Sequence, residues 1–303
     1  MLPSGLVDRL NRVLKTLGDN DPIIQTQMVG GGCINRAVCL LNHKHKYFLK
    51  YNPHPFPGMF EAEASGLRLM RETGAVRVPQ VLSVGPAEQG SPAFLLLEWL
   101  EPSNKPVFGD SQYRLGQQLA SMHKNPSGHA KKQYGLGMDN YIGSTPQINT
   151  WKDNWVDFFR DCRLGYQRDL AIKNGKMPGA RLKKLDDVIS HLENFIGDRA
   201  LVLPSLIHGD LWGGNIQHAG EGYALIDPAV YFGDHEAELA FTELFGGFSA
   251  AFYRGYAEVY PIDPGYKTRK DLYNLYHLLN HLNLFGESYG SQVDAVLRKY
   301  SSV

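Results

Sequence analysis

The chain has 303 residues, 43% of them hydrophobic, and its 31 basic residues balance 31 acidic ones, so the formal net charge is zero. A chain of this length can bury enough apolar surface for one or two domains. The charge balance argues against nucleic acid as a partner, and no apolar run approaches the roughly 20 residues of a membrane helix. The first residues lack a signal-peptide pattern and the three cysteines are too few for a disulfide framework, so we expect a cytoplasmic protein.

Residues 6–17 have apolar positions at helical spacing and precede Gly18, which predicts an opening helix. Residues 24–29 and 37–41 predict two strands, joined by the turn Gly-Gly-Gly-Cys-Ile-Asn at residues 30–35. Glycine leaves backbone N–H groups exposed, so such a turn can lie over phosphate groups. A flexible hairpin that binds nothing is an equally good interpretation, since no Walker A lysine follows. The candidate phosphate-binding positions are Gly31, Gly32, Cys33, Ile34 and Asn35.

The strand predicted for residues 47–51 carries Lys50, and the helix predicted for residues 58–72 carries two candidate partners, Glu61 and Glu63. A lysine at the end of an apolar strand is more often exposed to solvent than functional. Here it follows a glycine-rich hairpin, which is the position of the phosphate-binding lysine in one class of nucleotide-dependent folds. We prefer Glu63 as its partner, because it lies beside the apolar stripe of the helix. A solvated helix face is the alternative for either glutamate.

Residues 76–84 and 93–97 predict the last strands of a small antiparallel sheet. The apolar run then stops in residues 98–102. In a two-lobed nucleotide-binding fold this position is the hinge, whose backbone groups pair with the edge of an adenine. We assign that role to Glu98 and Leu100.

The chain is predicted to divide at this hinge. Residues 1–100 form a nucleotide-binding lobe, and residues 101–303 form a helical lobe with the catalytic loop and the acceptor site. Residues 124–150 predict a long polar loop, a length that is often functional. Amphipathic spacing predicts helices near residues 115–123, 151–170, 182–196, 233–245, 250–259 and 272–285.

The most informative stretch is His-Gly-Asp-Leu-Trp-Gly-Gly-Asn at residues 208–215, followed after a short apolar strand by Asp227. Its spacing is typical of phosphoryl-transfer sites. Asp210 would accept a proton, while Asn215 and Asp227 would hold Mg²⁺ on ATP phosphates. A lone Asp-x4-Asn would favour an ordinary turn, but the joint pattern with His208 favours a catalytic site.

With Lys50 and Glu63, these residues resemble the fructosamine kinase (ketosamine 3-kinase) family, in the aminoglycoside phosphotransferase-like branch of the protein-kinase fold. The segments that carry the resemblance are residues 30–35, 48–50, 141–149, 208–215, 227–238, 244–248 and 280–286. They extend over nearly the whole chain. Gly213 stands where many members have serine.

The resemblance implies an α+β, two-lobed protein-kinase-like fold, with a small antiparallel-sheet N-terminal lobe and a larger, mostly helical C-terminal lobe. It implies ATP-dependent phosphorylation, with Mg²⁺, of the sugar C3 hydroxyl of ketosamines, after which the 3-phosphate breaks down and frees the amine. The partner would be a small-molecule or protein-bound ketosamine, and the protein a monomer or homodimer. Ribulosamines, erythrulosamines and fructosamines all stay open as acceptors.

Three further residues are candidates to face the substrate on this resemblance: Trp212, Asp234 and Glu236. Carboxylates suit a sugar-amine that has hydroxyl and cationic groups. The alternatives are that Trp212 belongs to the core and that Asp234 caps the following helix.

Two other sequence features have alternative interpretations. Cys33 in the glycine-rich turn is either a reactive, redox-sensitive thiol or a small neutral loop residue. His277 and His281 lie one helical turn apart, but no glutamate follows His277 as in zinc-binding helices, so we expect packing or substrate-lobe residues.

Two other functions fit parts of this pattern. A related small-molecule kinase, of the aminoglycoside or choline type, would use the same machinery on another acceptor. A non-catalytic nucleotide-binding pseudokinase usually lacks the base or a metal ligand, whereas Asp210, Asn215 and Asp227 are all present here.

Overall fold

A five-stranded antiparallel sheet forms the first part of the computed structural model, which describes residues 2–30, 34–102, 111–125, 132–199, 202–220 and 222–302. The strands lie in the order β1-β2-β3-β5-β4. They are β1 (Gln25–Val29), β2 (Arg36–Leu41), β3 (Lys46–Asn52), β4 (Val81–Gly85) and β5 (Ala93–Glu98). Helix α1 (Ser4–Thr16) precedes the sheet, and helix α2 (Met59–Glu72) connects β3 to β4.

Period-two alternation gives the sheet two apolar faces. Residues such as Leu40 and Leu96 pack on one face against α1, which buries Leu6, Leu10 and Leu14. Their neighbours on the strands, among them Leu95 and Leu97, point to the opposite face and join the core shared with α2 and the helical part of the chain. The small antiparallel sheet that the sequence predicts is therefore confirmed.

The remaining elements are mostly helices. They are α3 (Ser111–Lys124), β6 (Asn140–Ile142), β7 (Thr145–Gln147), α4 (Trp155–Phe158), a π-helical segment (Phe159–Gly165), α5 (Tyr166–Lys173), α6 (Gly179–Ser190), α7 (Leu192–Ile196), β8 (Ser205–Ile207), β9 (Ile216–Ala219), β10 (Gly222–Leu225), β11 (Tyr231–Gly233), α8 (His235–Leu244), α9 (Ala250–Val259), α10 (Tyr266–Phe285) and α11 (Gly290–Tyr300). Short 3-10 turns follow β8 and α10. Helix α10, with 20 residues, is the central helix of this part.

Several predicted boundaries are wrong. Residues 182–196 form two helices rather than one, because the chain leaves the helical conformation at His191. Residues 76–80 lie outside β4. The loop predicted for residues 124–150 contains the hairpin β6–β7, and α11 was not predicted at all. The hairpin strands have three residues each and are too short to show an apolar alternation.

Helices α3 and α9 approach each other closely through two glycines. A Cβ on Gly116 would lie 2.0 Å from Phe252 O, and a Cβ on Gly255 would lie 2.0 Å from Tyr113 O. Real Cβ atoms do not come this close to backbone oxygens, so any side chain here would push the helices apart.

We expect Gly116→Ala to lower the free energy of unfolding by about 1–3 kcal/mol, because overpacking a rigid contact costs that much. Urea unfolding followed by circular dichroism measures it. Gly179→Ala is the matched control, since a Cβ there meets no atom within 4 Å at the start of α6. Unfolding midpoints that move equally in both variants would contradict the close-packing argument.

Candidate active site

A cavity of about 870 Å³ opens between the sheet and the helical part of the chain. Its apolar lining residues include Val29, Ala37, Phe48, Leu97, Ile216 and Ile226. Its polar lining residues include Lys50, Glu63, Asp210, Asn215 and Asp227. Segments that are distant in the sequence therefore meet in one cavity, which suits a ligand with a flat apolar ring and an anionic chain.

Lys50 lies on the inner face of β3, opposite Ala37 of β2 and Leu95 of β5. Its Nζ donates hydrogen bonds to Glu63 Oε1 at 2.7 Å and to Asp227 Oδ1 at 2.6 Å. Burial by itself would lower the pKa of this lysine, but the two carboxylates outweigh burial and hold the pKa above its usual value. Lys50 is therefore a fixed cation at the polar end of the cavity.

Helix α2 presents Glu63, and not Glu61, to this lysine. The side chain of Glu63 is 13% exposed and follows the buried Phe60 by three residues, whereas Glu61 is exposed to solvent. Residues three and four apart share a helix face, so the stripe of Phe60, Ala64 and Leu67 brings Glu63 to the cavity. The predicted ion pair is present.

Gly209 allows the catalytic loop, residues 208–215, to turn sharply away from β8. Its φ is +80°, and a Cβ there would lie 2.1 Å from Ala229 O. The positive φ and the lack of space for a Cβ atom both favour glycine over other residue types at this position. The turn places Asp210 in the cavity lining, and Ala229 N–H returns a hydrogen bond to His208 O at 2.8 Å.

The buried carboxylate of Glu238 fixes this turn from within the core. Its Oε2 accepts the His208 N–H at 3.0 Å, and its Oε1 accepts the Gly209 N–H at 2.8 Å. His123 Nε2 lies 2.7 Å from Oε2, and His123 Nδ1 lies 2.8 Å from the hydroxyl of Tyr256. Burial raises the pKa of Glu238, but the His123 contact more than offsets it, so the pKa is lowered. Sequence reasoning missed this residue, although it ends the 227–238 segment of the family resemblance.

Asp210 and Asn215 are linked directly. Asn215 Nδ2 donates to Asp210 O at 2.8 Å and to Asp210 Oδ2 at 3.1 Å. Burial raises the pKa of Asp210 to about 8, despite the hydrogen bond from Asn215 and with a further contribution from the charge of Asp227. A cation near the carboxylate would lower that pKa again.

The oxygen atoms at this end of the cavity fit a Mg²⁺ ion. Asn215 uses its amide NH₂ towards Asp210, and its Oδ1 accepts no hydrogen bond from any described residue. The side chain of Asp227 is 47% exposed, and Lys50 contacts its Oδ1. Asp227 has a φ of +56° and is the one non-glycine with a positive φ in the described ranges, a conformation that is enriched at functional sites. Mg²⁺ takes few protein ligands and completes its shell with phosphates and water.

The end of β5 and the segment after it line the cavity with Glu98, Trp99 and Leu100. Leu100 O accepts a hydrogen bond from Gln217 Nε2 at 3.0 Å, while Leu100 N–H has no partner among the described residues. Glu98 N–H donates to Gln80 O at 2.8 Å, so this group is occupied. Apolar side chains such as Phe48 and Leu97 line the same cavity.

The glycine-rich turn is described only in part, since Gly31, Gly32 and Cys33 lie outside the described residues. Ile34 and Asn35 both line the cavity. Asn52 Nδ2 donates to Asn35 Oδ1 at 3.0 Å and to Ile34 O at 3.3 Å, which ties the end of the turn to β3.

A buried amide network connects the hairpin β6–β7 to the backbone that follows Asp227. Asn140 Nδ2 donates to Val230 O at 2.8 Å, and Gln147 Nε2 donates to Ala229 O at 3.0 Å. The same Gln147 amide also donates to Asn140 Oδ1 at 2.7 Å. These hydrogen bonds fix the hairpin relative to the turn at Asp227. No local sequence pattern predicts this contact.

Arg163 supports this network from the π-helical segment. Its guanidinium is fully buried, donates to Asn149 Oδ1 at 2.8 Å and lies 3.9 Å from the ring centroid of Tyr231. Asn149 Nδ2 in turn donates to Asn140 Oδ1 at 2.8 Å. π-Helical turns are frequent at functional sites because they re-aim side chains, and here the turn carries Arg163 into the core.

Trp212 lines the cavity and is 40% exposed, so the alternative that it belongs to the core is wrong. Its ring covers Gly214, where a Cβ would lie 2.3 Å from two ring atoms. Gly213 packs against Gly247, and a Cβ at 213 would lie 3.0 Å from Gly247 Cα. Glycine at position 213 thus permits a close approach between the catalytic loop and the segment after α8.

The predicted substrate contacts of Asp234 and Glu236 are wrong, because both side chains are fully buried outside the cavity lining. Asp234 Oδ1 accepts the Glu236 N–H at 3.0 Å, so it caps α8 as in the alternative interpretation. Arg199 Nε donates to Asp234 Oδ2 at 2.7 Å, and Arg269 Nε donates to Glu236 Oε2 at 2.7 Å. The two arginines satisfy the carboxylates and leave neither for a ligand.

The two helical histidines pack as expected. His277 stacks on Phe241 with ring centroids 3.6 Å apart, and burial keeps the pKa of both His277 and His281 below its usual value. No group of three or more His, Cys, Asp or Glu side chains in the described ranges could hold a metal ion. Among the described helices, none has the length and apolar character that a membrane crossing requires.

Similar proteins extend over the same length of chain. A probable ketoamine kinase of Synechocystis sp. is 45% identical over 295 residues, which are 95% of this chain and 94% of that protein. The chloroplastic protein-ribulosamine 3-kinase of Oryza sativa subsp. indica is 40% identical over 297 residues, 97% of this chain and 83% of that one.

Solved structures confirm the predicted α+β, two-lobed kinase-like fold. A candidate fructosamine-3-kinase of Thermobifida fusca YX-ER1 has a TM-score of 0.86 at 27% identity and covers 99% of both chains. A thermostable mutant of the aminoglycoside phosphotransferase APH(4)-Ia has a TM-score of 0.62 at 14% identity, covers 96% of this chain and 99% of that one, and shares the fold. A family model for fructosamine kinase matches residues 7–302, so the chain belongs to the fructosamine kinase family.

Proposed function

We propose that this protein is an ATP-dependent kinase that phosphorylates the C3 hydroxyl of ketosamines and thereby promotes their deglycation. The observation that carries the proposal is the meeting of Lys50, Asp210, Asn215 and Asp227 in one cavity that apolar side chains also line. The names of the relatives favour a ketosamine over the acceptors of other small-molecule kinases. The presence of all the ionisable groups of a phosphoryl-transfer site argues against a pseudokinase.

ATP would bind with its adenine at the apolar end of the cavity. Residues 1–100 would be the nucleotide-binding lobe that ends in the hinge, and residues 101–303 the lobe with the catalytic loop and acceptor site. The unpartnered N–H of Leu100 supports a hydrogen bond to a ring nitrogen of adenine, with Glu98 O as the neighbouring acceptor.

The phosphates would extend from the hinge to the fixed cation of Lys50. The contact between Lys50 and Glu63 holds the ammonium group in place while phosphate oxygens take the position now shared with Asp227. Backbone N–H groups of residues 31–34 would cover the phosphates in this arrangement. Asn215 and Asp227 would hold Mg²⁺, which neutralises phosphate charge when bound.

Asp210 would act as the base. The C3 hydroxyl oxygen of the ketosamine attacks the γ-phosphorus of ATP, its proton passes to the Asp210 carboxylate, and ADP leaves. The hydrogen bond from Asn215 orients that carboxylate in the cavity. Burial raises the pKa of Asp210, and a Mg²⁺ ion held by Asn215 and Asp227 would lower that pKa and favour the ionised carboxylate.

The acceptor would enter on the side of Trp212, which we propose contacts the sugar. We propose free or protein-bound ketosamines as substrates, the cytoplasm as location, and a monomer or homodimer as the working form, with no nucleic-acid or membrane partner. The name protein-ribulosamine 3-kinase of the rice relative supports a protein-bound acceptor.

The proposal predicts Mg²⁺-dependent consumption of ATP with a synthetic ribulosamine or fructosamine, and a ketosamine 3-phosphate as product. Phosphorus NMR identifies the phosphorylated position, and the ratio of rates ranks the two sugars. Aminoglycosides and choline serve as control acceptors. Nucleotide binding without turnover of either ketosamine would contradict the proposed reaction and leave the fold unaffected.

We expect Asp210→Asn to lower kcat by about 10²–10⁴-fold, because the proton acceptor is lost while the shape of the site is kept. Nucleotide affinity, measured by calorimetry with Mg²⁺, should stay within about threefold, because the adenine and phosphate contacts are untouched. Near-normal turnover of the variant would rule out Asp210 as the base.

We expect Glu238→Gln to lower kcat by about 10–100-fold, with a smaller change in the KM for ATP. A glutamine can accept only one of the two loop N–H groups, so the loop moves, and small misplacements of reacting groups have large kinetic effects. Glu243→Gln is the matched control, an acid on the same helix that pairs with Lys270 and Tyr266 and does not line the cavity. Equal kinetics for the two variants, or a loss confined to thermal stability, would contradict a positioning role.

A further inference from the structure

Four aromatic rings form a continuous surface outside the cavity. Phe245 and His281 have ring centroids 5.0 Å apart, and His281 lies 5.5 Å from Phe285 and 4.9 Å from Tyr289. We call these residues, Phe245, His281, Phe285 and Tyr289, the aromatic ladder. Phe285 is 60% exposed and Phe245 is 37% exposed, so the ladder is open to solvent at these two rings.

Buried side chains of α8 and α10 pack beneath the ladder. Phe241, one turn before Phe245 on α8, is buried and stacks on His277, one turn before His281 on α10. Two helices therefore hold the rings in register through paired positions four residues apart. Such a surface needs no rearrangement before it binds a ligand.

Two segments next to the ladder in the chain pack against segments that line the cavity. The chain after Phe245 packs on the catalytic loop, since a Cβ on Gly213 would lie 3.0 Å from Gly247 Cα. Gly143 at the tip of hairpin β6–β7 lines the cavity, and a Cβ there would lie 3.4 Å from Leu284 Cδ1, next to Phe285. None of the four rings lines the cavity itself. The ladder is thus close in the chain to two contacts with cavity-lining segments, one at the loop with Trp212 and one at hairpin β6–β7.

We propose that the aromatic ladder binds the amine-side substituent of the acceptor, and that it selects ketosamines whose amine carries an extended apolar or aromatic group. This inference rests on the proposed ketosamine kinase function. With the C3 hydroxyl at Asp210, the amine on C1 points away from the reacting oxygen, and its substituent must leave the cavity along the rim. Aromatic faces bind alkyl chains and rings by contact and attract a nearby ammonium group.

Two ribulosamines separate this inference from the proposed function itself: one made from methylamine and one made from 2-phenylethylamine. We expect a kcat/KM about tenfold higher for the phenylethyl compound, since one added apolar group in a preformed site gives discrimination of this order. Turnover of neither compound contradicts the proposed function. Equal kcat/KM values for both would overturn the ladder subsite and leave the function intact.

Phe285→Ala tests the ladder without touching the catalytic loop. We expect it to reduce the tenfold preference to about two- to threefold, with unchanged kinetics for the methylamine compound, and Phe285→Tyr to restore the preference. Leu17→Ala is the matched control, because Leu17 is a large exposed apolar residue after α1, on the far face of the sheet. A preference that Phe285→Ala retains in full would overturn the proposal.

A second copy of this chain is the competing occupant of the ladder. Light scattering of the wild type and of Phe285→Asp decides between the two. A dimer that Phe285→Asp converts to a monomer would mean that the rings are covered by the other copy, and would overturn the proposal. An oligomeric state that does not change with the substitution supports an open subsite.

Discussion

The hydrogen bonds of one buried carboxylate set the geometry of the catalytic loop. Glu238 accepts the N–H groups of His208 and Gly209, which directly precede Asp210. Glycine at positive φ allows many directions of the chain, so the carboxylate selects the one that brings Asp210 into the cavity. A buried charge is strongly unfavourable without partners, and His123 supplies the remaining contact. The position of the base therefore depends on residues that never touch a ligand.

The same helix explains why two acidic residues were wrongly assigned to the substrate. Asp234 and Glu236 pair with Arg199 and Arg269 at the start of α8, one turn before Glu238. Buried ion pairs add little net stability, but their geometry is specific. Here they fix where α8 begins, and the position of Glu238 follows from that beginning. Sequence spacing cannot distinguish such a pair from a binding site, because the arginine partners lie more than 30 positions away in the chain.

Residue type and spacing predict those parts of the site for which the chemistry of phosphoryl transfer requires particular residues at particular positions. The ion pair of Lys50 and Glu63 follows from strand order and the apolar stripe of one helix, and the cluster of Asp210, Asn215 and Asp227 follows from a single stretch. The hairpin β6–β7 could not be predicted in the same way. Its strands are short and polar, and its place is fixed by amide hydrogen bonds to a segment about 80–90 residues later in the chain.

The residues of phosphoryl transfer are easier to predict from the sequence than the surface that recognises the acceptor, and the reason is physical. Phosphoryl transfer needs a cation, a base and metal ligands at fixed distances, so local motifs retain them. Recognition of the acceptor needs only a surface of suitable shape and polarity, which many residue combinations provide. The aromatic ladder draws its rings from the residue after α8, from α10 and from the turn after α10, and exposed rings such as Phe285 support little of the core. Substitution there can change the acceptor while Glu238, and with it the catalytic loop, stays in place.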